Sequence, residues 1–430
     1  MNEYITLLRQ NRNYRYLWLG NVISLLGDWF NLLASAELIT NLSNTGVAIS
    51  SLFLARFLPL FFVSPLAGVV ADRFSRRTIM IWSDLLRAAT VLGFLLVRTT
   101  EQIWLLYVLT ILQFVLSAFF TPARSAIIAN VVAQEDLVAA NALDSFTWST
   151  MLAVGSFLGG LATAVFGAQT AFILDSATFL FSAWMVSRVV LAVHQKRETY
   201  LGGWFEFIDG FRYLWSVPFI LGLSLVKGAG SFVWGSINVL EVSFAEKIYA
   251  LNMPALQTAL HIEDGGTATL GIIYMMSGLG TGLGPLFMRR VLGDDKKRML
   301  WGITIGFFLM GGGIIGLGLA PSLPFFLLAT FVRTVGTGTL WVFSAALLQM
   351  MVPDQYRGRV FAFEFAVLTL TQSISILGAG FAQDDLLMPL PRIAIWVGSL
   401  GLVVGLVWLA FHLRYQSMVK QRTSEQAARL

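Results

Sequence analysis

The chain has 430 residues, 57% of them hydrophobic and 12% charged, with a formal net charge of +5 and a mean hydropathy of +0.73. A soluble domain carries roughly a quarter charged residues. The composition therefore excludes a water-soluble globular protein and points to a helical membrane protein, because the apolar segments are long runs rather than alternating decads. With no cysteine, disulfides and thiol chemistry are excluded. The three histidines, His194, His261 and His412, are too scattered to ligate a metal, so neither metal nor cofactor is expected.

Runs of about 20 apolar residues can cross a bilayer. Twelve are read, near 16–42, 46–71, 78–99, 102–123, 139–167, 169–192, 217–246, 267–290, 299–319, 322–348, 360–382 and 393–413. The start NRNYRYLWLG runs into the first span without a small-residue cleavage site. The very short connections NLSNTG, GAQT and APSLP make antiparallel hairpins. With a cytoplasmic N-terminus, 22 of the 29 lysines and arginines lie at the inner face, three outside and four within spans. That asymmetry is a positive-inside signal. It places both termini in the cytoplasm and explains the net charge by topology, with no need for a nucleic-acid partner.

The longest inner connection, 193–216, separates a six-helix bundle at 1–192 from a second at 217–413, leaving a cytoplasmic tail at 414–430. Within it, WFEFIDGFRYLW sets Trp204, Phe207, Ile208, Phe211 and Trp215 on one helical face, as in a helix lying in the membrane interface.

Polar residues inside the spans fall on single helical faces. In span 1, Asn21, Ser24, Asp28, Asn31 and Ser35 recur at three- and four-residue steps. Thr110, Gln113, Ser117, Thr121 and Arg124 do so in span 4, and Lys227, Ser231, Trp234, Asn238 and Glu241 in span 7. Thr330, Thr334, Thr337, Trp341 and Ser344 follow in span 10, with Arg333 beside them. Asp28 and Lys227 each sit roughly 15–18 Å above the inner face at 1.5 Å per residue. An intramembrane charge costs a few kcal/mol on permissive scales, so each is expected to face water or a partner. The two are read as facing each other across a polar cavity, Asp28 as a protonatable or substrate-contacting acid and Lys227 as its charge partner or an anion contact. Arg56 is read as a partner for Glu37, and Asp84 with Arg87 as an i, i+3 pair.

The two halves carry a weak repeat. GVVADRFSRR ends span 2 and GPLFMRRVLG ends span 8, so Gly68 and Arg73 align on Gly284 and Arg289 at an offset of 216. RSAIIANVVAQ and FSAALLQMMVPD repeat at an offset near 219. Such duplication is common in transporters.

GVVADRFSRR, with Gly68, Asp72, Arg73, Arg76 and Arg77, resembles the loop motif between the second and third helices of the major facilitator superfamily. TPARSAIIANVV and LVAANAL resemble its bacterial branch of siderophore exporters, macrolide efflux pumps and lysophospholipid transporters. The resemblance covers essentially the whole chain. It implies an all-α fold of two pseudo-symmetric six-helix bundles, with spans 1, 4, 7 and 10 lining a cavity. It also implies a gating network centred on Asp72, supported by Asp84 and Arg87 and extended to Arg124, Asp144 and Glu364. Met288 replaces the aspartate in the second copy, so that network is one-sided. GSFLGG, with Gly155, Ser156, Gly159 and Gly160, resembles the Gly-Pro-x-x-Gly-Gly motif of facilitator exporters, with Ser156 in place of proline. Close packing of small residues accounts for it equally.

The function expected is secondary active transport of an amphipathic small molecule across a bacterial cytoplasmic membrane by alternating access, as a proton-coupled exporter. The alternative is movement of a lysophospholipid-like substrate. Expected partners are that substrate, a proton and membrane lipids, with no ATP, and the chain acting as a monomer. No nucleophile–base pair suggests an enzyme.

Overall fold

The computed structural model describes residues 2–43, 45–133, 136–190, 212–252, 257, 262, 264–293 and 295–427, with the backbone alone at a few of these, among them 68 and 71–73. The helices are α1 (Asn2–Gln10), α2 (Arg12–Leu42), α3 (Gly46–Arg73), α4 (Arg76–Gly93), α5 (Ile103–Val131), α6 (Leu137–Thr150) and α7 (Ser156–Ser187). After the linker come α8 (Pro218–Ser224), α9 (Val226–Lys247), α10 (Gly265–Leu292), α11 (Lys296–Leu319), α12 (Leu323–Met351), α13 (Asp354–Asp384) and α14 (Leu390–Ala427). The interfacial helix expected from Trp204 to Phe211 lies outside the described residues; Trp215 is exposed.

Among the described residues, 11 segments are long and apolar enough to cross a membrane. One of them, Ala139–Ser187, has 49 residues, about twice what a bilayer needs. Gly167, at φ +78°, interrupts it. Glycine adopts that backbone without the Cβ clash other residues suffer, so the helix breaks there, and counting its two limbs as separate passes gives twelve among the described residues. A five-residue π turn, Met151–Gly155, joins α6 to α7. Helix starts follow local chemistry. Asn11 accepts from the Tyr14 amide at 2.9 Å, Thr45 from Ala48 at 3.2 Å and Asp295 from Arg298 at 3.0 Å, each meeting a donor the helix cannot.

By contact the chain divides into two units. The first holds Met1–Arg197, Asn238–Leu279 and Ile376–Met388; the second holds Glu198–Ile237, Gly280–Ser375 and Pro389–Leu430. The first unit thus contains the whole N-terminal half together with the last part of α9, the first part of α10 and the end of α13. The polar stripe of span 7 is split between them, Lys227, Ser231 and Trp234 in the second unit and Asn238 and Glu241 in the first.

Candidate functional site

In the first unit, Asp28 and Asn31 share one face of α2, three residues apart. Asn31 is fully buried and its Oδ1 accepts from Arg56 Nη1 on α3 at 3.2 Å. Asp28 lies in the field of Arg56 and of Arg87 on α4. The partner of Arg56 is therefore Asn31 with Asp28, rather than Glu37 as expected from sequence. Arg87 forms an ion pair with Asp84 and is held between the rings of Phe120 and Phe179, at 4.6 and 4.3 Å from their centroids. Asp84 and Arg87 were expected to support the Asp72 latch, and the side chain of Asp72 lies outside the described residues; Arg87 lies in the charge cluster around Asp28. The cluster gains a third carboxylate, Asp175 on the second limb of α7, fully buried beside Asp28, Arg87, Asn31 and Arg56. Gly27 makes room for it, since a Cβ there would lie 2.5 Å from Asp175 Oδ1. Gln113, on the neighbouring α5, is 1% exposed, and neither its Nε2 nor its Oε1 has a hydrogen-bond partner.

The second unit buries its own ion pair. Lys227 Nζ donates to Glu364 Oε2 on α13 at 3.0 Å, and lies 4.7 Å from the Trp341 ring centroid and 5.8 Å from that of Phe361. The acid that meets Lys227 is thus Glu364, which sequence alone assigned to the inner gating network, while Asp28 lies in the field of Arg87 and Arg56. Arg333 is buried on α12, where Thr337 donates to its carbonyl at 3.1 Å. Trp234 and Asn238 are half-buried.

At the end of the first unit that carries the chain's N-terminus, basic residues hold helix ends together. Arg124 Nη2 donates to both carboxylate oxygens of Asp144, at 2.8 and 2.9 Å. Arg76 donates to the Ala126 carbonyl at 3.1 Å. Arg77 donates to the carbonyls of Ser187 and, at 3.4 Å, Val186, where a cation suits the helix C-terminus. Asp72 and Arg73 lie in the last turn of α3, and their side chains are outside the described set.

Towards the opposite end, four contacts join helices from both sequence halves within this unit. A Cβ on Gly160 of α7 would lie 2.6 Å from Gly271 Cα of α10, and one on Gly278 would lie 2.6 Å from Ala153 Cα. Gly155 and Gly159 seat against Trp29, whose ring meets Tyr274 at 5.6 Å. Ser156 donates to the Ala153 carbonyl at 3.2 Å, so it binds its own helix rather than a ligand. Asp384, at the end of α13, accepts from the backbone amides of Gly46 and Val47 at 2.9 and 2.6 Å and so caps α3. Glu241 accepts from Ser277 at 3.4 Å between α9 and α10. Beyond them opens a cavity of about 620 Å³ lined by Glu37, Asn41, Glu246, Gln257 and Asp264.

Long apolar helices with buried charged side chains mark a multi-pass membrane protein. Residues 6–426 match MFS_3, the transmembrane secretion effector family, and the chain belongs to it, within the major facilitator superfamily. The chain is 26% identical over 412 residues to the uncharacterized MFS-type transporter YfiS of Bacillus subtilis (strain 168), covering 94% of each. It is 25% identical to macrolide efflux protein A of Streptococcus pyogenes over 374 residues, 85% of this chain and 88% of that protein. Against the putative bacilysin exporter BacE of Bacillus subtilis (strain 168) it is 27% identical over 226 residues, 52% of this chain and 56% of that one. The fold matches that of a POT family transporter in complex with 5-aminolevulinic acid (TM-score 0.72, 10% identity, 94% and 96% of the two chains). It also matches a bacterial homologue of the iron transporter ferroportin in the inward-facing state (TM-score 0.65, 15% identity, 94% and 99%).

Proposed function

We propose that the protein is a proton-coupled exporter of amphipathic small molecules in a bacterial cytoplasmic membrane, working by alternating access with both termini in the cytoplasm. The observation that carries the coupling is the charge count in the first unit. Asp28, Asp84 and Asp175 share two guanidiniums, Arg56 and Arg87. Full ionisation leaves one uncompensated negative charge in a place where charge is costly, and one proton on the cluster removes it. A proton entering or leaving would then change how strongly α2, α3, α4 and α7 hold together, which gives a gradient a way to bias a conformational equilibrium. The exporter and efflux relatives support export as the direction of transport. The contacts of Gly160 with Gly271 and of Asp384 with α3 support an arrangement closed at that end, which the distribution of basic residues makes the outer one.

The test is accumulation of a fluorescent macrolide and of cationic dyes in cells lacking their own pumps, with wild type or Asp28→Asn, with and without a protonophore. Wild type lowers accumulation, the protonophore abolishes the difference, and Asp28→Asn matches the vector. Export that persists with the protonophore present overturns the coupling. If every dye and macrolide accumulates as in the vector control, the substrate class is wrong, and lysophospholipid uptake becomes the measurement.

A further inference from the structure

Lys227 and Glu364 form an ion pair that is unevenly made. Both residues are buried, at 7% and 3% exposure, yet the lysine reaches Glu364 Oε2 alone, at 3.0 Å. Oε1 is buried with no hydrogen-bond partner. A carboxylate oxygen left bare in a low dielectric is costly. A bond built only to hold helices together is better made by arginine, whose planar fork meets both oxygens at once. The helices already have their own fastening here. Thr371 donates to the Gly228 carbonyl at 2.8 Å, and a Cβ on Gly228 would lie 2.5 Å from Val367 Cγ1. The backbones of α9 and α13 are therefore locked, while the lysine side chain turns on four bonds. Around its ammonium stand the faces of Trp341 and Phe361, within about 6 Å, as in sites that take alkylammonium ligands. Trp341, one wall of the site, is itself 40% exposed.

We propose that Glu364, Trp341 and Phe361 form a binding site for a primary amine and that Lys227 occupies it as a tethered stand-in. The site takes an ammonium with an apolar body. The ligand's ammonium replaces that of Lys227 on Glu364 and, with three donors, reaches both oxygens. Its apolar body lies against Trp341, and the lysine withdraws along its own stem. The empty site never holds a bare carboxylate, and an occupied one holds no net charge beyond the displaced lysine. This inference rests on the transporter reading for its purpose, by naming a substrate class, but not for its test.

The test uses the purified full chain in detergent, with 2-phenylethylammonium as the probe, 2-phenylethanol as its neutral analogue and phenylacetate as its anionic one. Binding is read by calorimetry and by the shift in unfolding temperature. Wild type binds the amine and neither analogue. Lys227→Met removes the competitor. Since an occupant present at least nine-tenths of the time taxes affinity about tenfold, this variant binds the amine at least about tenfold more tightly. Its unfolding temperature, lowered by the stranded Glu364, recovers with added amine. Lys227→Arg, a bidentate occupant that keeps the fold, binds more weakly than wild type. Glu364→Gln and the Lys227→Met/Glu364→Gln double variant lose amine binding, the double variant having no buried charge left to destabilise it. Amine binding that survives Glu364→Gln, or that is unchanged in both lysine variants, overturns the proposal. So does phenylacetate stabilising Glu364→Gln, which would make Lys227 the ligand-binding group. A protein that binds the amine as described but exports nothing keeps the site and loses the exporter reading. The reverse result, export with no amine binding, does the opposite.

Discussion

Gly160→Ala is the most informative single change at the end of the first unit where α7 meets α10. The added methyl would lie 2.6 Å from Gly271 Cα and 3.1 Å from Gly271 N. Carbon atoms rest at about 3.5–4.0 Å, so the two backbones must part by about 1 Å. No side chain can yield instead, because both partners are main chain. Overpacking of this kind costs about 1–3 kcal/mol. If the contact exists only while this end is closed, the cost falls on that state alone and shifts the equilibrium towards the open one by about 5- to 150-fold. The chain has no cysteine, so Thr163→Cys gives a lone thiol on α7 at a position 1% exposed. The assay is its labelling by a membrane-impermeant maleimide on whole cells. Labelling quickens by the factor above in Gly160→Ala. It quickens less in Gly271→Ala, whose Cβ would stand 3.0 Å from Gly160 Cα, and not at all in Gly378→Ala, which has nothing within 4 Å. Equal labelling rates in Gly160→Ala and Gly378→Ala would refute the idea that this contact opens in the working cycle.

Arg56→Met leaves Arg87 facing three carboxylates. It lowers stability by about 3–5 kcal/mol in thermal unfolding of the purified protein, and adding Asp175→Asn restores at least half of that; no recovery means the charge count is not what matters. Asp384→Ala removes both acceptors at the start of α3, a loss of about 1–2 kcal/mol, and the same Thr163→Cys labelling rises about 5- to 30-fold. Arg124→Ala and Asp144→Ala, taken through a double-mutant cycle of unfolding free energies, show a coupling of about 0.5–3 kcal/mol, matching the ion pair in which Arg124 Nη2 reaches both Asp144 oxygens at 2.8 and 2.9 Å; a coupling near zero would leave that pair without weight.

The twelve passes are legible because a bilayer imposes a length on every span and no other constraint competes with it. Even the turn at GAQT shows, since a 49-residue apolar stretch must break and Gly167 is the residue in it that accepts φ +78°. Asp28, Asn31, Gln113 and Lys227 stand out for the same reason: polar atoms in hydrocarbon must be buried, and helical spacing shows which of them share a face. What spacing does not carry is which helix lies beside which. Asp28 and Lys227 match in depth and carry opposite charges, yet Lys227 meets Glu364, one pass before the end of the chain, and Asp28 lies in the field of Arg87 and Arg56. Asp175 is missed because the stripe search covers spans 1, 4, 7 and 10, and the acid sits in span 6. An aspartate within FILDSATF is itself the signal, since nothing but a partner or water justifies it there.

The way these charges are balanced bears on how a transporter moves. An ion pair made between two moving parts has to be broken at each turnover, and removing one partner from a buried pair costs about 3–5 kcal/mol. The structure places counter-charges locally. Lys227 is met by Glu364 inside the second unit, and Arg56 and Arg87 are met by three aspartates inside the first. Each set can then travel with its own helices without being stripped of counter-charge. The joining contacts at the α7–α10 end are of a different kind, glycine on glycine and a carboxylate on two backbone amides. Dispersion is short-ranged, and water can replace the acceptor that Asp384 supplies, so parting these contacts would cost less than breaking a buried ion pair. On this reasoning the buried charges hold what binds, and the small residues and the capped helix end hold what opens. Variants at Gly160 or Asp384 should therefore alter accessibility without altering amine affinity, and variants at Glu364 should do the reverse.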